Sequence, residues 1–282
     1  MSLALVLDDV RRYGGCLSPG FALPCILASV FAGLHAMFPR LIWCLAIPVL
    51  VLLLFATDVR AATPVSLPTS PRAERAQQEA QRRLQHALQA LGLHAGSPVY
   101  LRIFKQESML ELWMARGEEY VLFKRYPICR WSGALGPKKR EGDGQAPEGV
   151  YALRAGSLNP NSAYHLAMNL GFPNRLDRAL GRTGSFLMIH GRCVSIGCYA
   201  MGDEAIEEIY TLVAMALAAG VREVPVHAFP FVPSRAALRR HVRSPWIDGW
   251  RDLAAIYTEF ERHRQPPVVR IEGNRYRLQA VE

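Results

Sequence analysis

Hydrophobic and polar positions alternate with period two along three short segments in the middle of the chain, residues 99–104, 110–114 and 120–126. Alternation of this kind predicts β-strands that turn one face towards a core. Gly117 lies in the short connection between the second segment and the third, where a tight turn is expected. The pattern therefore predicts a three-stranded meander.

Apolar positions recur at helical spacing in three further segments. The first, residues 72–91, carries one narrow apolar stripe, and Gly92 offers a C-terminal stop. The second begins near Asp203, which is expected to cap the helix, and ends at Gly220. The third covers residues 250–263. Three amphipathic helices are therefore expected around the strands.

Additional strands are predicted at residues 150–153 and 224–231, and a closing hairpin is predicted at 268–271 and 275–278. A loop rich in Gly, Lys and Pro, residues 132–149, precedes the first of these strands, and long loops in compact domains are often functional. The order of elements indicates a fold that is mainly β with a few helices, in the α+β class.

The composition divides the chain into a leader and a globular part. Residues 41–56 are uncharged and mostly apolar, and small residues follow, which is typical of a secretory signal peptide cleaved after Ala61. The alternative is an uncleaved membrane anchor, although the run is slightly short for a span. A start at Met37 would make residues 37–61 an ordinary signal peptide, and residues 1–36 are assigned no function.

Beyond the leader, residues 62–96 are expected to be a linker and a helix, 97–232 a main domain, and 233–282 a helical and hairpin extension. The whole chain has a net charge of +9, and the leader holds four arginines against three aspartates, so the remainder keeps +8. A basic surface favours an anionic polymer or a membrane face as partner. No nucleic-acid-binding motif is present, and export argues against nucleic acid.

Three of the six cysteines lie in the leader, so the rest of the chain contains only Cys129, Cys193 and Cys198. In an oxidising compartment an odd number of cysteines indicates a free thiol, and Cys129 could pair with Cys193. The alternative is three buried thiols without chemistry.

The segment from Phe186 to Met201 carries the candidate chemistry. An apolar run at residues 186–189 predicts a strand that leads to His190, and Gly191 would permit a sharp exit from it. Cys198 follows shortly before the predicted helix. A thiol attacks as the thiolate and therefore needs a base, which His190 can supply. Gly197 leaves room for backbone N–H groups to face an oxyanion.

Three other interpretations of this segment remain open. Cys198 and His190 could be structural core residues. A zinc site could use His190, Cys193 and Cys198, but a fourth ligand has no obvious position. Ser195 could be the nucleophile instead, but it lacks the Gly-x-Ser-x-Gly setting of an elbow serine.

The run from His190 to Cys198 resembles the active-site signature of L,D-transpeptidases with a YkuD-type catalytic domain, and the resemblance covers roughly residues 97–230. It is closest to the YafK-like branch of that family. The supporting motifs are Gly136-Pro-Lys-Lys139, Gly142-Asp-Gly-Gln145, Ala146-Pro-Glu-Gly149, Tyr164-His-Leu166, Asp177-Arg178 and Gly181-Arg-Thr-Gly184.

This resemblance implies a periplasmic enzyme that needs no metal or organic cofactor and acts on peptidoglycan stem peptides at meso-diaminopimelate. Cys198 would be acylated and His190 would be its base. The residues implied to shape the backbone around them are Gly191, Gly197 and Tyr199. The candidates for substrate binding are His165, Asp177, Arg178, Arg182 and Ser195.

Arginine forks suit stem carboxylates, but the charged candidates at positions 165, 177, 178 and 182 could equally be salt-bridged loop anchors. Lys138 and Lys139 are expected to form a solvated basic loop.

Two positions depart from the family signature. Ile196 stands where a histidine is usual, and Tyr199-Ala200 stands where an arginine would fall. Both missing residues normally lie near the donor stem, so the sequence favours hydrolysis or exchange at a diaminopimelate-linked amide, such as release of a wall-attached lipoprotein. The alternatives are formation of new cross-links and a non-catalytic peptidoglycan-binding module.

Overall fold

The computed structural model describes residues 66–279. The predictions for the leader, including its signal peptide or anchor, lie outside the described residues. The described residues form one compact unit. Within residues 66–279, no helix is both long enough and apolar enough to cross a membrane.

Eleven strands and five helices are present in the described part of the chain. The strands are β1 (Val99–Phe104), β2 (Met109–Arg116), β3 (Glu119–Pro127), β4 (Gly149–Leu153), β5 (Leu158–Asn159), β6 (Ala167–Asn169), β7 (Met188–His190), β8 (Tyr199–Ala200), β9 (Val224–Phe229), β10 (Val269–Glu272) and β11 (Arg275–Leu278). The helices are α1 (Pro71–Ala90), α2 (Arg175–Ala179), α3 (Asp203–Ala218), α4 (Arg235–Arg240) and α5 (Ile247–His263). The α+β fold class is confirmed.

The main sheet has five strands in the order β3-β2-β1-β9-β4. The β1–β3 meander is confirmed, with Leu101 opposite Leu112 in an antiparallel register. β9 lies parallel to β1, and β4 lies antiparallel to β9. The two strands after the long loop thus complete the sheet on the side away from the meander.

Helices cover both faces of this sheet. Leu101 and Ile103 belong to one core cluster with apolar residues of α1 and α3. Phe104 lies in a second cluster with Trp250 and Leu253 of α5. Because both faces are covered, every position of β1 is buried, including those that the alternation assigned to the outer face.

A second sheet of four short strands, in the order β5-β6-β7-β8, carries the candidate chemistry. β7 and β8 are parallel, with Ile189 opposite Tyr199 and His190 opposite Ala200. The strand predicted at 186–189 begins only at Met188. Phe186 has a φ of 53° and an exposed side chain, so it belongs to the preceding loop.

The predicted helix beginning at Asp203 is confirmed, but its cap is different. Gly202, with a φ of 81°, is the N-cap, and Asp203 is the first helical residue. The Asp203 carboxylate accepts a hydrogen bond from the Arg192 N–H at 2.6 Å. Asp203 therefore anchors the loop before the helix instead of capping the helix.

The C-terminal extension packs on the main sheet. α5 begins three residues earlier than predicted, at Ile247, and the hairpin of β10 and β11 is confirmed. The predicted strand 224–231 ends at Phe229, and α4 had no distinct signal in the sequence. Trp250 of α5 donates a hydrogen bond from Nε1 to Glu148 at 2.8 Å, which ties the extension to the end of the long loop.

Candidate active site

His190 and Cys198 line the same cavity of about 130 Å³. His190 ends β7, and Cys198 immediately precedes β8, so the parallel pairing of these strands brings the two residues together. His190 is buried, whereas Cys198 is half-buried and is the free cysteine of the described residues. The full set of residues around the cavity is Tyr164, His190, Val194, Ser195, Ile196 and Cys198.

The His190 imidazole is held by its own neighbour in the chain. Nδ1 lies 2.6 Å from the carbonyl oxygen of Gly191, so Nδ1 carries the proton and donates. Nε2 is then the basic nitrogen. Burial lowers the pKa of His190, and the hydrogen bond to Gly191 opposes that shift. The imidazole is therefore neutral at pH 7 and ready to accept a proton.

The Cys198 thiol lies close to the backbone just before His190. The Met188 N–H donates to Sγ at 3.4 Å, and Sγ lies 3.5 Å from the Phe186 carbonyl oxygen. Burial raises the pKa of the thiol, while the Met188 N–H and the charge of Lys138 act in the opposite direction. The resting site therefore holds a neutral thiol and a neutral imidazole that line one cavity.

Ser195 organises the turn that leads to Cys198. Its hydroxyl donates to the Cys198 carbonyl oxygen at 2.8 Å and lies 3.1 Å from the Ser132 hydroxyl. The Gly197 N–H donates to the same Ser195 oxygen at 3.3 Å. That amide is thus directed at Ser195 and helps to fix the turn that leads to Cys198.

A disulfide between Cys129 and Cys193 joins this loop to the chain that follows β3, with a Cα–Cα distance of 5.4 Å. The structure therefore contains the pairing that the sequence left open. Because Cys193 is bonded to Cys129, it is not a thiolate ligand for zinc. Among the described residues no group of three or more His, Cys, Asp or Glu side chains could hold a metal ion.

The two glycines of the signature are required for different reasons. A Cβ at Gly191 would lie 2.7 Å from both the Tyr164 carbonyl oxygen and Asp203 Oδ1. Gly191 has no positive φ, so close packing and not a sharp exit explains it. Gly197 has a φ of 134°, which favours glycine, and a Cβ there would lie 3.0 Å from Leu187.

Tyr199 fixes the strand that follows Cys198. It pairs with Ile189 in the sheet, and its buried hydroxyl donates to the Pro147 carbonyl oxygen at 2.5 Å. Burial raises the pKa of this phenol, so it stays protonated and continues to donate. Tyr199 thereby connects the long loop to the candidate nucleophile.

The charged candidates for substrate binding do not line the cavity of Cys198. Asp177 is fully buried and accepts hydrogen bonds from Arg182 at 2.7 Å and from the Tyr151 hydroxyl at 3.1 Å. His165 lies 2.9 Å from Glu207. Arg178 donates to the Pro173 carbonyl oxygen. Of the five candidates only Ser195 lines the Cys198 cavity, and the Asp177–Arg182 pair is the loop anchor that the sequence offered as the alternative.

Two residues of the site were not identified from the sequence. The Tyr164 ring lies on His190 with ring centroids 4.8 Å apart, although the sequence used Tyr164 only as part of a family motif. Lys138, expected in a solvated loop, is buried and pairs with Asp143 at 2.5 Å. Its position is decided by the fold of the long loop, for which the sequence has no periodic signal.

Comparison with known proteins identifies the family of this chain. Residues 98–226 match the family described as YkuD, L,D-transpeptidase catalytic domain. The chain is 48% identical over 181 residues to the protein named "Putative L,D-transpeptidase YafK" from Escherichia coli strain K12, covering 64% of this chain and 74% of that protein. The same values hold for the protein of that name from Escherichia coli O157:H7.

Two solved structures are similar at lower identity. The helical cell shape determining protein Pgp2 from Campylobacter jejuni has a TM-score of 0.39 at 19% identity, covering 67% of this chain and 80% of its own. Bdellovibrio bacteriovorus Bd1075 has a TM-score of 0.35 at 22% identity, covering 60% of this chain and 62% of its own. Because residues 98–226 match the family and the chain is 48% identical to the two Escherichia coli proteins, the chain belongs to the L,D-transpeptidase family with a YkuD catalytic domain.

Proposed function

We propose that this protein is a periplasmic cysteine enzyme that cleaves or exchanges diaminopimelate-linked amide bonds of peptidoglycan, with Cys198 as nucleophile and His190 as base. One observation carries the proposal. A free thiol and a neutral imidazole, whose Nδ1 is occupied by the Gly191 carbonyl, line the same cavity. That arrangement is the minimum that acyl transfer through a cysteine requires.

The reaction proceeds in two steps. His190 Nε2 takes the Cys198 proton, the sulfur attacks the amide carbonyl carbon, and the C–N bond breaks as the imidazolium returns the proton to the leaving amine. A thioester at Cys198 remains. In the second step His190 removes a proton from water, and the hydroxide oxygen attacks the thioester carbonyl carbon. The C–S bond breaks as the imidazolium returns the proton to the Cys198 sulfur, which leaves a carboxylic acid and the free thiol.

Hydrolysis is favoured over transfer to a second amine by the surroundings of the thiol. Ile196, at the position where the family usually has histidine, is 86% exposed at the edge of the cavity. Apart from His190, no basic side chain of residues 66–279 lines that cavity. A second stem amine therefore finds little there to orient it, whereas water needs no such group. A wall-attached lipoprotein is the proposed leaving partner.

Selective alkylation tests the catalytic assignment. Purified protein is treated with iodoacetamide at pH 7, and labelling of each cysteine is followed by peptide mass spectrometry, with His190→Ala and the surface variant His263→Ala compared. Because His190 is the proposed base, labelling of Cys198 should be slower in His190→Ala than in the wild type, and His263→Ala should leave it unchanged. Equal and slow labelling in all three proteins would favour a non-catalytic wall-binding module.

The reaction itself is tested on peptidoglycan fragments that carry a lysyl peptide amide-linked to diaminopimelate. Release of free lysyl peptide by the protein, and not by Cys198→Ala, is the expected result. New stem-to-stem masses without released lysyl peptide would show that the enzyme makes cross-links and that a histidine at position 196 is dispensable for that reaction.

A further inference from the structure

A second cavity, of about 530 Å³, opens beside the edge of the main sheet. β4 and β9 form its floor, α2 forms one wall, and residues 266–269 before the hairpin form another. It shares no lining residue with the cavity of Cys198. Its volume lies in the range of pockets that hold small ligands.

Three arginines line this cavity, and only one of them has a carboxylate partner among the described residues. Arg154 pairs with Glu223 at 2.7 Å. Arg175 and Arg178 are exposed on α2, three residues apart, and no Asp or Glu within residues 66–279 lies within 4.0 Å of their guanidinium groups. The cavity therefore carries a net positive charge of two that this part of the chain does not neutralise.

A buried histidine faces the same space. His227 is 1% exposed and lines the cavity, and its Nδ1 lies 2.7 Å from the Tyr100 hydroxyl. Burial raises the pKa of Tyr100, so the phenol keeps its proton, and we assign this hydroxyl as the donor to Nδ1. Nε2 then carries the ring proton, and no acceptor for it is found among the described residues.

Burial, together with the nearby Arg102 charge, lowers the pKa of His227 to about 3. The ring is neutral under ordinary conditions and supplies a donor without adding a charge. An acceptor that enters the cavity gains a hydrogen bond from Nε2 and meets two guanidinium groups that have no carboxylate partner within residues 66–279.

We propose that this cavity binds an anionic ligand with two acid groups, carboxylate or phosphate, held by Arg175, Arg178 and the His227 Nε2–H. Guanidinium forks match the paired oxygens of both kinds of acid group. The site is separate from the proposed chemistry at Cys198, and it accounts for Arg178 better than a role beside the thiol does.

Isothermal titration of purified Cys198→Ala protein tests the site, because this variant cannot turn over a peptide. Inorganic pyrophosphate represents phosphate ligands, and the tripeptide L-alanyl-γ-D-glutamyl-meso-diaminopimelate represents carboxylate ligands. The double variant Arg175→Gln/Arg178→Gln is compared with Arg239→Gln/Arg240→Gln, which removes two exposed charges from α4.

Saturable binding of one probe, weakened at least about tenfold by the α2 variant and unchanged by the α4 variant, is expected. The probe that binds identifies the kind of acid group. Absence of saturable binding by both probes, or equal weakening in the two variants, would overturn the proposal and leave a solvated basic surface. The labelling experiment on Cys198 does not depend on ligand binding in this cavity, so the proposed reaction is tested independently of the proposed site.

Nitrogen-detected NMR of the histidine side chains provides a second readout. The bound probe should shift the His227 Nε2 resonance, and the ring should show the Nε2–H tautomer before the probe is added. An unmoved His227 signal at a saturating probe concentration would contradict the assigned ligand set.

Discussion

Glu148 connects the C-terminal extension to the loop that supports Cys198, and replacing it tests that connection. One carboxylate oxygen accepts from Lys105 Nζ at 3.0 Å and from the Gly136 N–H at 2.7 Å, and the other accepts from Trp250 Nε1. The Lys105 ammonium, which is fully buried, also donates to the carbonyl oxygens of Ala134, Gly136 and Ala146. The substitution is Glu148→Gln, which keeps the shape and removes the charge.

The expected cost follows from the burial of both partners. Side-chain exposure is 0% for Lys105 and 2% for Glu148, so the change leaves a buried ammonium without its counter-ion. Removing one member of a buried ion pair typically costs about 3–5 kcal/mol. For a unit of this size, that corresponds to a fall in Tm of roughly 6–20 °C.

The sign of the pH dependence distinguishes loss of the Lys105 counter-ion from a general loss of packing. Burial already lowers the pKa of Lys105, and Glu148 opposes that shift. Without Glu148 the pKa of Lys105 in the folded state falls further. Between that lower pKa and the ordinary lysine pKa, the unfolded chain carries a proton on Lys105 that the folded chain has lost, and this pH range is wider in the variant than in the wild type. Stability rises with pH in that window, and the deficit of the variant should therefore shrink from pH 7 to pH 9.5.

Urea unfolding followed by tryptophan fluorescence measures both effects, with the wild type and Asp248→Asn as references at each pH. Asp248 is an exposed acidic residue of α5, the helix that carries Trp250. Its ion pair with Arg251 is worth about 0–1 kcal/mol. If Glu148→Gln costs no more than Asp248→Asn, or if its deficit is equal at the two pH values, the buried Lys105–Glu148 pair does not contribute this stability.

Three more outcomes are expected. Replacing both disulfide cysteines, Cys129→Ser with Cys193→Ser, opens a loop of 64 residues and should lower the free energy of unfolding by ~4 kcal/mol in urea titrations; an unchanged midpoint would contradict this. Gly191→Ala should lower the free energy of unfolding by about 1–3 kcal/mol in the same assay, because its new methyl group is crowded. Gly249→Ala, at an uncrowded helical position, should raise the free energy of unfolding by about 0.5–1 kcal/mol, and the reverse order would refute the packing argument. Because the pKa of Cys198 is raised, its alkylation rate should still be increasing at the ordinary cysteine pKa of about 8.5, and a plateau below pH 8 would indicate a preformed ion pair instead.

Elements that bury one regular stripe were predictable from the sequence. The period-two segments became β1, β2 and β3, and the hairpin of β10 and β11 formed where alternation and a Gly-Asn turn coincide. These elements follow from local pattern, because side-chain direction repeats with the backbone period. The pairing of β9 with β1 was not predictable, since the two strands are far apart in the chain.

Local conformational rules were less reliable around the candidate site. Gly191 was attributed to backbone freedom, but crowding by Tyr164 and Asp203 requires it. Asp203 was expected to cap α3, but its carboxylate binds the Arg192 amide instead. Lys138 was expected in solvent, but Asp143 holds it inside the loop. For Gly191 and Asp203 the deciding partner comes from outside the segment that carried the signal, whereas for Lys138 it is another residue of the same long loop.

The sequence by itself determined the residues for the proposed chemistry, because a cysteine and a histidine eight positions apart in a specific signature identify a family and a reaction type. Only the tertiary structure decided that they share a cavity, that Gly191 orients the imidazole, and that Asp177 and Arg182 neutralise each other away from it. The physical reason is that reactivity depends on burial, distance and competing partners, and these arise from contacts between segments distant in the chain.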